Sequence, residues 1–138
     1  MSNLLRLFWI AISKIREGWL VLHIVLIGVP AWFALVLFEG GNFIGFKSFS
    51  VMASLMDEWQ WSAVSGLVAI LSAFGWNGKA WWSRIGASLL LMSWHTTISV
   101  CFFLSSPLGT AGGTYFLLAL ASFFELVVRI NSRNRFDV

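Results

Sequence analysis

Residues 85–106 read IGASLLLMSWHTTISVCFFLSS, and this stretch decides the class of fold. It has 22 residues without a charge or a proline. A helix rises about 1.5 Å per residue, so the stretch is long enough to cross a hydrocarbon core of about 30 Å. We therefore interpret it as a membrane-spanning helix. Its polar side chains must find partners inside protein, because hydrocarbon offers them no water.

Three further stretches have the same apolar character: 19–38, 59–76 and 114–130. Together with 85–106 they predict an all-α, integral membrane four-helix bundle, a single membrane domain over 1–138. Composition agrees, because 59% of the residues are hydrophobic and only 11% are charged. About a quarter of the residues of a soluble domain are charged.

An interfacial amphipathic helix is predicted for residues 2–17, before the first span. The apolar run inside it is too short to cross a membrane, and the charges that follow this run are wrong for a cleaved signal peptide. The segment fits an anchor on the cytoplasmic surface, with curvature sensing as the alternative. Its apolar residues share one helical face: Leu4, Leu5, Phe8, Ile12 and Ile15.

A second amphipathic helix is predicted in the first outer loop, from Phe46 onward. Apolar residues recur there every three to four positions, at Phe49, Met52, Leu55, Met56 and Trp59. This edge is expected to lie on the lipid surface, with docking of a partner as the alternative. Asp57 and Gln60 are spaced as a capping box for the span that follows.

The central span carries one polar helical face, on which His95 is the residue that most needs a partner. Thr96 and Thr97 can return their hydroxyls to the backbone one turn earlier, but we expect His95 to need another helix or a water pocket. It is either a proton-sensitive or ion-contacting group, or a neutral histidine bonded between helices. The face comprises Ser88, Met92, His95, Ser99 and Ser106.

Glu125 and Arg129 stand four residues apart near the end of the last span, the favourable order for a helical ion pair. An intramembrane carboxylate suggests a functional site by default, and a structural ion pair is the alternative. His23 on the first span is predicted to lie at a similar depth to Glu125. If the first and fourth spans are neighbours, these two side chains could bond to each other.

The second span is predicted to pack closely through small side chains. Such faces let helix backbones approach one another in lipid, whether the partner helix belongs to the same chain or to another. The face comprises Ser62, Ser65, Gly66, Ala69, Ser72 and Ala73.

Charge asymmetry predicts the orientation. Both termini, with the polar tail 131–138, are expected on the cytoplasmic side of a bacterial or viral-host inner membrane, because positive charge concentrates there. Trp76, Trp81 and Trp82 are expected to form an aromatic belt at that boundary. The other side has only Lys47, against Arg6, Lys14, Arg16, Lys79, Arg84, Arg129, Arg133 and Arg135.

The sequence contains no motif of a hydrolase, a phosphate-binding loop or a zinc site, so no catalytic residue, cofactor or metal is expected. The basic residues follow the membrane edges, and nucleic acid is not an expected partner. The expected partners are the lipid bilayer and either a second copy or another membrane protein. We expect a non-enzymatic accessory, anchoring or inhibitory component that acts through helix packing. The alternative is a homo-oligomeric pore or proton channel with His95 and Glu125 facing its lumen, and a lipid-modifying enzyme is weaker.

Overall fold

The computed structural model describes residues 2–41, 43, 46–77 and 80–132, with the backbone alone for 2–19 and 132. This part of the chain is all-helical, as predicted. A short 3-10 turn at Lys47–Phe49 precedes the second helix. The helices are α1 (Ser2–Phe38), α2 (Ser50–Leu55), α3 (Glu58–Asn77), α4 (Trp81–Ser105) and α5 (Thr110–Ser132).

Three helical segments are long and apolar enough to cross a membrane: Leu20–Phe38, Trp81–Ser105 and Thr110–Asn131. They match three of the predicted spans, although α4 and α5 each begin four residues earlier than expected. The predicted span 59–76 does form a helix, α3, but it is not among the three. Its serines, glycines and Gln60 dilute its apolar character, so a fourth crossing stays a prediction.

Helix α1 is a single helix of 37 residues. Residues 2–17 are helical as expected, but they continue into the first span without a break, so they do not form a separate helix. A lone glycine, Gly18, costs a helix only about 1 kcal/mol, which the flanking turns can absorb. Pro30 also lies inside α1. The predicted tail begins inside α5, and residues 133–138 lie outside the described part of the chain.

Helix α4 occupies the middle of the fold. It packs against α3 on one side and α5 on the other, and α1 packs against α3. Half of the α4 span is buried by the chain, compared with 28% of the spans in α1 and α5. The long helices therefore follow one another in space in the order α1, α3, α4 and α5. Their shared core includes Leu26, Phe33, Leu37, Trp61, Val68, Leu91, Trp94 and Ile98.

The short helix predicted in the outer loop packs against its own chain. Helix α2 has six residues, and Met52 within it is fully buried. The Trp61 indole donates a hydrogen bond to the carbonyl oxygen of Met52 at 2.9 Å. The Phe49 ring meets the edge of the Phe102 ring with centroids 5.4 Å apart. This edge therefore covers the ends of α3 and α4, and only Leu55 and its neighbours towards α3 remain for lipid.

One of the two reciprocal bonds of the predicted capping box is present at the start of α3, the bond from the Gln60 side chain back to Asp57. The Asp57 backbone N–H donates to Oε1 of Gln60 at 2.9 Å. The carbonyl oxygen of Asp57 accepts from the N–H groups of Gln60 and Trp61 at 3.0 and 3.1 Å. These bonds satisfy backbone groups that the first helical turn would otherwise leave unpaired.

Candidate functional site

Polar side chains are concentrated between the helices. In an apolar interior such groups are stable only when they are hydrogen-bonded, so their partners show how the helices are held together. Among the residues whose side chains the structure describes, nine buried ones are polar or charged: His23, Ser62, Ser65, Ser72, Ser88, His95, Ser99, Ser122 and Glu125.

His23, Glu125 and Arg129 form one polar cluster between α1 and α5. Nδ1 of His23 lies 2.5 Å from Oε1 of Glu125, and Nη2 of Arg129 lies 2.7 Å from the same oxygen. A carboxylate can only accept, so both nitrogens donate. His23 is 1% exposed and Glu125 is 2% exposed. The bond between His23 and Glu125 that the sequence left as a hypothesis is therefore present in the structure, where it joins α1 to α5.

Two tryptophans complete the surroundings of the polar cluster. The Trp76 ring of α3 stacks on the His23 ring with centroids 3.6 Å apart. The Arg129 guanidinium lies over the same indole, 4.3 Å from its centroid, as a cation–π contact. The Trp81 indole of α4 donates to the carbonyl oxygen of Arg129 at 3.2 Å. All four long helices therefore contribute to the cluster.

These contacts change the interpretation of the aromatic belt. Trp82 is exposed, as a belt residue should be, but Trp76 and Trp81 pack on the polar cluster. Arg129 likewise turns back to Glu125 and Trp76, and its side chain is only 13% exposed. The positive guanidinium balances the Glu125 carboxylate locally, which reduces the cost of placing either charge in the interior.

His95 is fully buried and bonds within its own helix as well as across to α5. Its Nδ1 lies 2.8 Å from the carbonyl oxygen of Leu91, one turn earlier, and 3.2 Å from Oγ of Ser122. Ser122 is therefore the partner on another helix that the sequence predicts for His95, and the imidazole also reaches its own backbone. Thr96 and Thr97 do return their hydroxyls to the preceding turn, as expected.

The four candidate polar residues do not form a single site. The structure brings His23, Glu125 and Arg129 together, whereas His95 meets α5 at Ser122, one helical turn from Glu125. No hydrogen bond joins the two groups in the described part of the chain. Both groups lie inside one protomer, so they do not face an outer surface that could line a lumen between copies.

The small-residue face of α3 is used within this chain. Ser62 donates to the carbonyl oxygen of Ala34 on α1 at 2.7 Å, and Ser65 accepts from the Trp94 indole of α4 at 3.1 Å. Gly66 also lies against Ala34. The remaining members are the buried Ala69 and Ser72 and the half-buried Ala73. The face therefore joins α3 to α1 and α4 and is not available as a whole to another protein.

Several residues that form these contacts are not predicted from the sequence as members of a polar site. Trp76 lies four positions after Ser72, on the inward stripe of α3, and this spacing could have placed it inside. Ser122 lies three positions before Glu125 on the same face of α5, which could have marked it as a polar neighbour. Trp81 gave no such signal, because a tryptophan beside a cation at a helix end is also typical of a membrane belt.

No protein family model matches the chain, and no curated protein or solved structure matches it. The fold and the site therefore define a class only. The described part of the chain is all-helical, with three helices suited to crossing a membrane and a buried polar cluster that joins α1 to α5.

Proposed function

We propose that the protein crosses an inner membrane four times, as a four-helix bundle with both termini in the cytoplasm. The 20 residues of α3 support this reading, because they span about 30 Å, the thickness of a hydrocarbon core. Its packing between α1 and α4 also supports it, since both neighbours include segments apolar enough to span.

Cysteine labelling tests the four-span topology. In a Cys101→Ala background, the Phe46→Cys variant is expected to react with a membrane-impermeant maleimide almost entirely from the outside. The Asn77→Cys variant is expected to react almost entirely from the cytoplasmic side, because α3 lies between these positions. Leu108→Cys, in the exposed turn after α4, serves as the outside control. Labelling of Phe46→Cys and Asn77→Cys from the same side would contradict a crossing by α3.

Within this topology the protein acts as a non-enzymatic accessory, anchoring or inhibitory component. The observation that carries this proposal is a groove of about 470 Å³ between α1 and α5, open at the surface. The same two helices are bonded nearby through His23 and Glu125. The groove is lined by Val25, Gly28, Val29, Trp32, Thr114, Tyr115 and Leu118.

The occupant proposed for this groove is a transmembrane helix of another membrane protein. At Gly28 an added Cβ would meet nothing within 4 Å, so the backbone of α1 is open to close approach. Close approach favours helix pairs in lipid, where van der Waals packing and weak backbone contacts replace the hydrophobic effect. The exposed ring of Trp32 stands at the edge of the groove and offers a large contact surface to a partner.

The Gly28→Leu variant tests this proposal. Leucine would fill the groove without a clash inside the chain, so the variant is expected to fold normally. Its affinity for the partner is expected to fall at least tenfold, a loss of about 1.4 kcal/mol in binding free energy. The measurement is the mass and composition of the complex extracted at native expression level in a mild detergent.

Gly86→Leu is the matched control for this test. Gly86 lies on an exposed face of α4 and also has open space around it, but it is outside the groove. The control is expected to retain a defined hetero-complex that Gly28→Leu loses. Retention of the complex by both variants contradicts the groove as the interface. Extraction of the native chain alone, as a monomer or a homo-oligomer, contradicts the accessory function.

The pore alternative gains less support from the geometry. A lumen between copies would need polar groups on the outer surface of each protomer. His95 and Glu125 are instead bonded inside one chain, to Ser122 and to His23 and Arg129.

A further inference from the structure

Among the described residues, several buried polar side chains, His95 included, have an atom without a hydrogen-bond partner, and four of these side chains come from four different helices. They are His23 of α1, Ser72 of α3, Ser88 of α4 and Glu125 of α5, and each is between 0% and 2% exposed. Among the described residues, no hydrogen-bond partner is found for Nε2 of His23, Oε2 of Glu125 or Oγ of either serine. A buried polar atom without a partner costs about 1–3 kcal/mol, so four in one region need an explanation.

Ser72 and His23 lie at the same end of the α1–α3 contact. Trp76 stacks directly on His23, and Ser72 is one helical turn before Trp76 on the same face of α3. The next helix lies at this level as well. At Gly75, an added Cβ would be 2.8 Å from Cβ of Ala87, so Ser72 and Ser88 each lie within one turn of a close approach between α3 and α4.

Contacts on either side of Ser88 bracket its level along α5. Helices α4 and α5 run antiparallel, with His95 in contact with Ser122 and Trp81 in contact with Arg129. Ser88 lies between His95 and Trp81, so it faces the stretch of α5 from Ser122 to Arg129, within about one helical turn of Glu125. The four incompletely bonded side chains therefore lie within about one turn of the same level of the fold, and we call this region the internal site.

The chemistry of the internal site selects a neutral ligand that both donates and accepts hydrogen bonds. Glu125 is already balanced by Arg129, so a further cation or anion would leave an unbalanced charge in the interior. The ionisable groups that face the site are His23 from α1 and Glu125 and Arg129 from α5. Among the described residues of α3 and α4, the buried polar side chains at this level are Ser72 and Ser88, with Trp76 beside them.

We propose that His23, Ser72, Ser88 and Glu125 form an internal water-binding site that holds one or two water molecules. A water molecule makes two to four hydrogen bonds in such sites and can donate to Oε2 of Glu125 and bond to Nε2 of His23. Its oxygen can accept from the hydroxyls of Ser72 and Ser88. The bound water links all four long helices at the level of the polar cluster, independently of any partner protein.

Whether serine-to-alanine variants lose or gain thermal stability tests the internal site. If the site binds water, Ser72→Ala and Ser88→Ala each remove a water ligand and are expected to lower the melting temperature of the purified protein in detergent. If the site is dry, each substitution removes an unsatisfied hydroxyl and leaves the melting temperature unchanged or raises it, which would overturn the proposal. Ser93→Ala, on the exposed face of α4, is the matched control and is expected to cause no shift.

The double variant tests whether the two serines share the water. If either single substitution already displaces the shared water, the other substitution removes little more. The shift in melting temperature of the double variant is therefore expected to be smaller than the sum of the two single shifts. An additive shift would overturn a shared site. The native protein provides a second measurement, nuclear Overhauser cross-peaks from water to the Cβ protons of Ser72 and Ser88 but not Ser93. Absence of both cross-peaks would also overturn the site.

Discussion

The Glu125→Leu variant is expected to lose about 3–5 kcal/mol of unfolding free energy, the usual effect of removing one partner from a buried ion pair. The substitution places an apolar side chain of similar size in the interior. It removes the acceptor of both His23 Nδ1 and Arg129 Nη2, which lie 2.5 and 2.7 Å from Oε1. It also breaks the hydrogen bond that joins α1 to α5. Reversible unfolding of the purified protein in mixed micelles measures the loss.

Controls separate the loss of the carboxylate from the change in shape. Phe124→Leu alters the adjacent, exposed residue of α5 and is expected to change stability by no more than about 0.5 kcal/mol. A protein with leucine substituted for His23, Glu125 and Arg129 together is expected to recover much of the loss, because an apolar replacement of a whole buried ion pair is often neutral. A Glu125→Leu protein as stable as the native one would mean that the polar cluster does not hold the helices together.

The outline of the polar cluster could be predicted from the sequence. The predicted span positions and the bias of Lys and Arg place His23 and Glu125 at a similar expected depth, and the spacing of Glu125 and Arg129 predicts their pairing. The structure places all three together. The sequence could not show that α1 and α5 meet, because periodicity identifies the face that avoids lipid and not the helix that covers it.

The packing of α3 shows more clearly that the sequence does not identify the helix that covers a buried face. Its small residues predict a close helix contact, and the structure divides this face between α1 and α4. Trp76 could not be assigned to the interior by composition, because the same residue at the same depth also suits a membrane boundary. In the outer loop, the apolar spacing of Phe49 and Met52 suits lipid and the ends of α3 and α4 equally well. Only the tertiary contacts of these residues decide between the two surfaces.

Gly75 is the residue of α3 at which a side chain is expected to cause the greatest damage. A Cβ added there would lie 2.7 Å from the backbone oxygen of Ser83 and 2.8 Å from Cβ of Ala87. Neither atom belongs to the flexible end of a side chain, so α3 and α4 would have to move apart. Such movement would disturb the neighbouring contact of Trp76 with His23. The Gly75→Val variant is therefore expected to lose about 3 kcal/mol of unfolding free energy, the upper end of the usual effect of overpacking.

Gly66→Ala on the same helix is the control that isolates close approach from helix propensity. There the nearest atom to an added Cβ is that of Ala34 at 3.7 Å, an ordinary van der Waals contact. Alanine favours a helix over glycine by up to about 1 kcal/mol, so this variant is expected to be as stable as the native protein or more stable. Equal stability of the Gly75→Val and native proteins in the same unfolding assay would show that α3 and α4 are not in close contact at this level. The alignment that places Ser72 beside Ser88 depends on that contact, so the internal site would lose its basis as well.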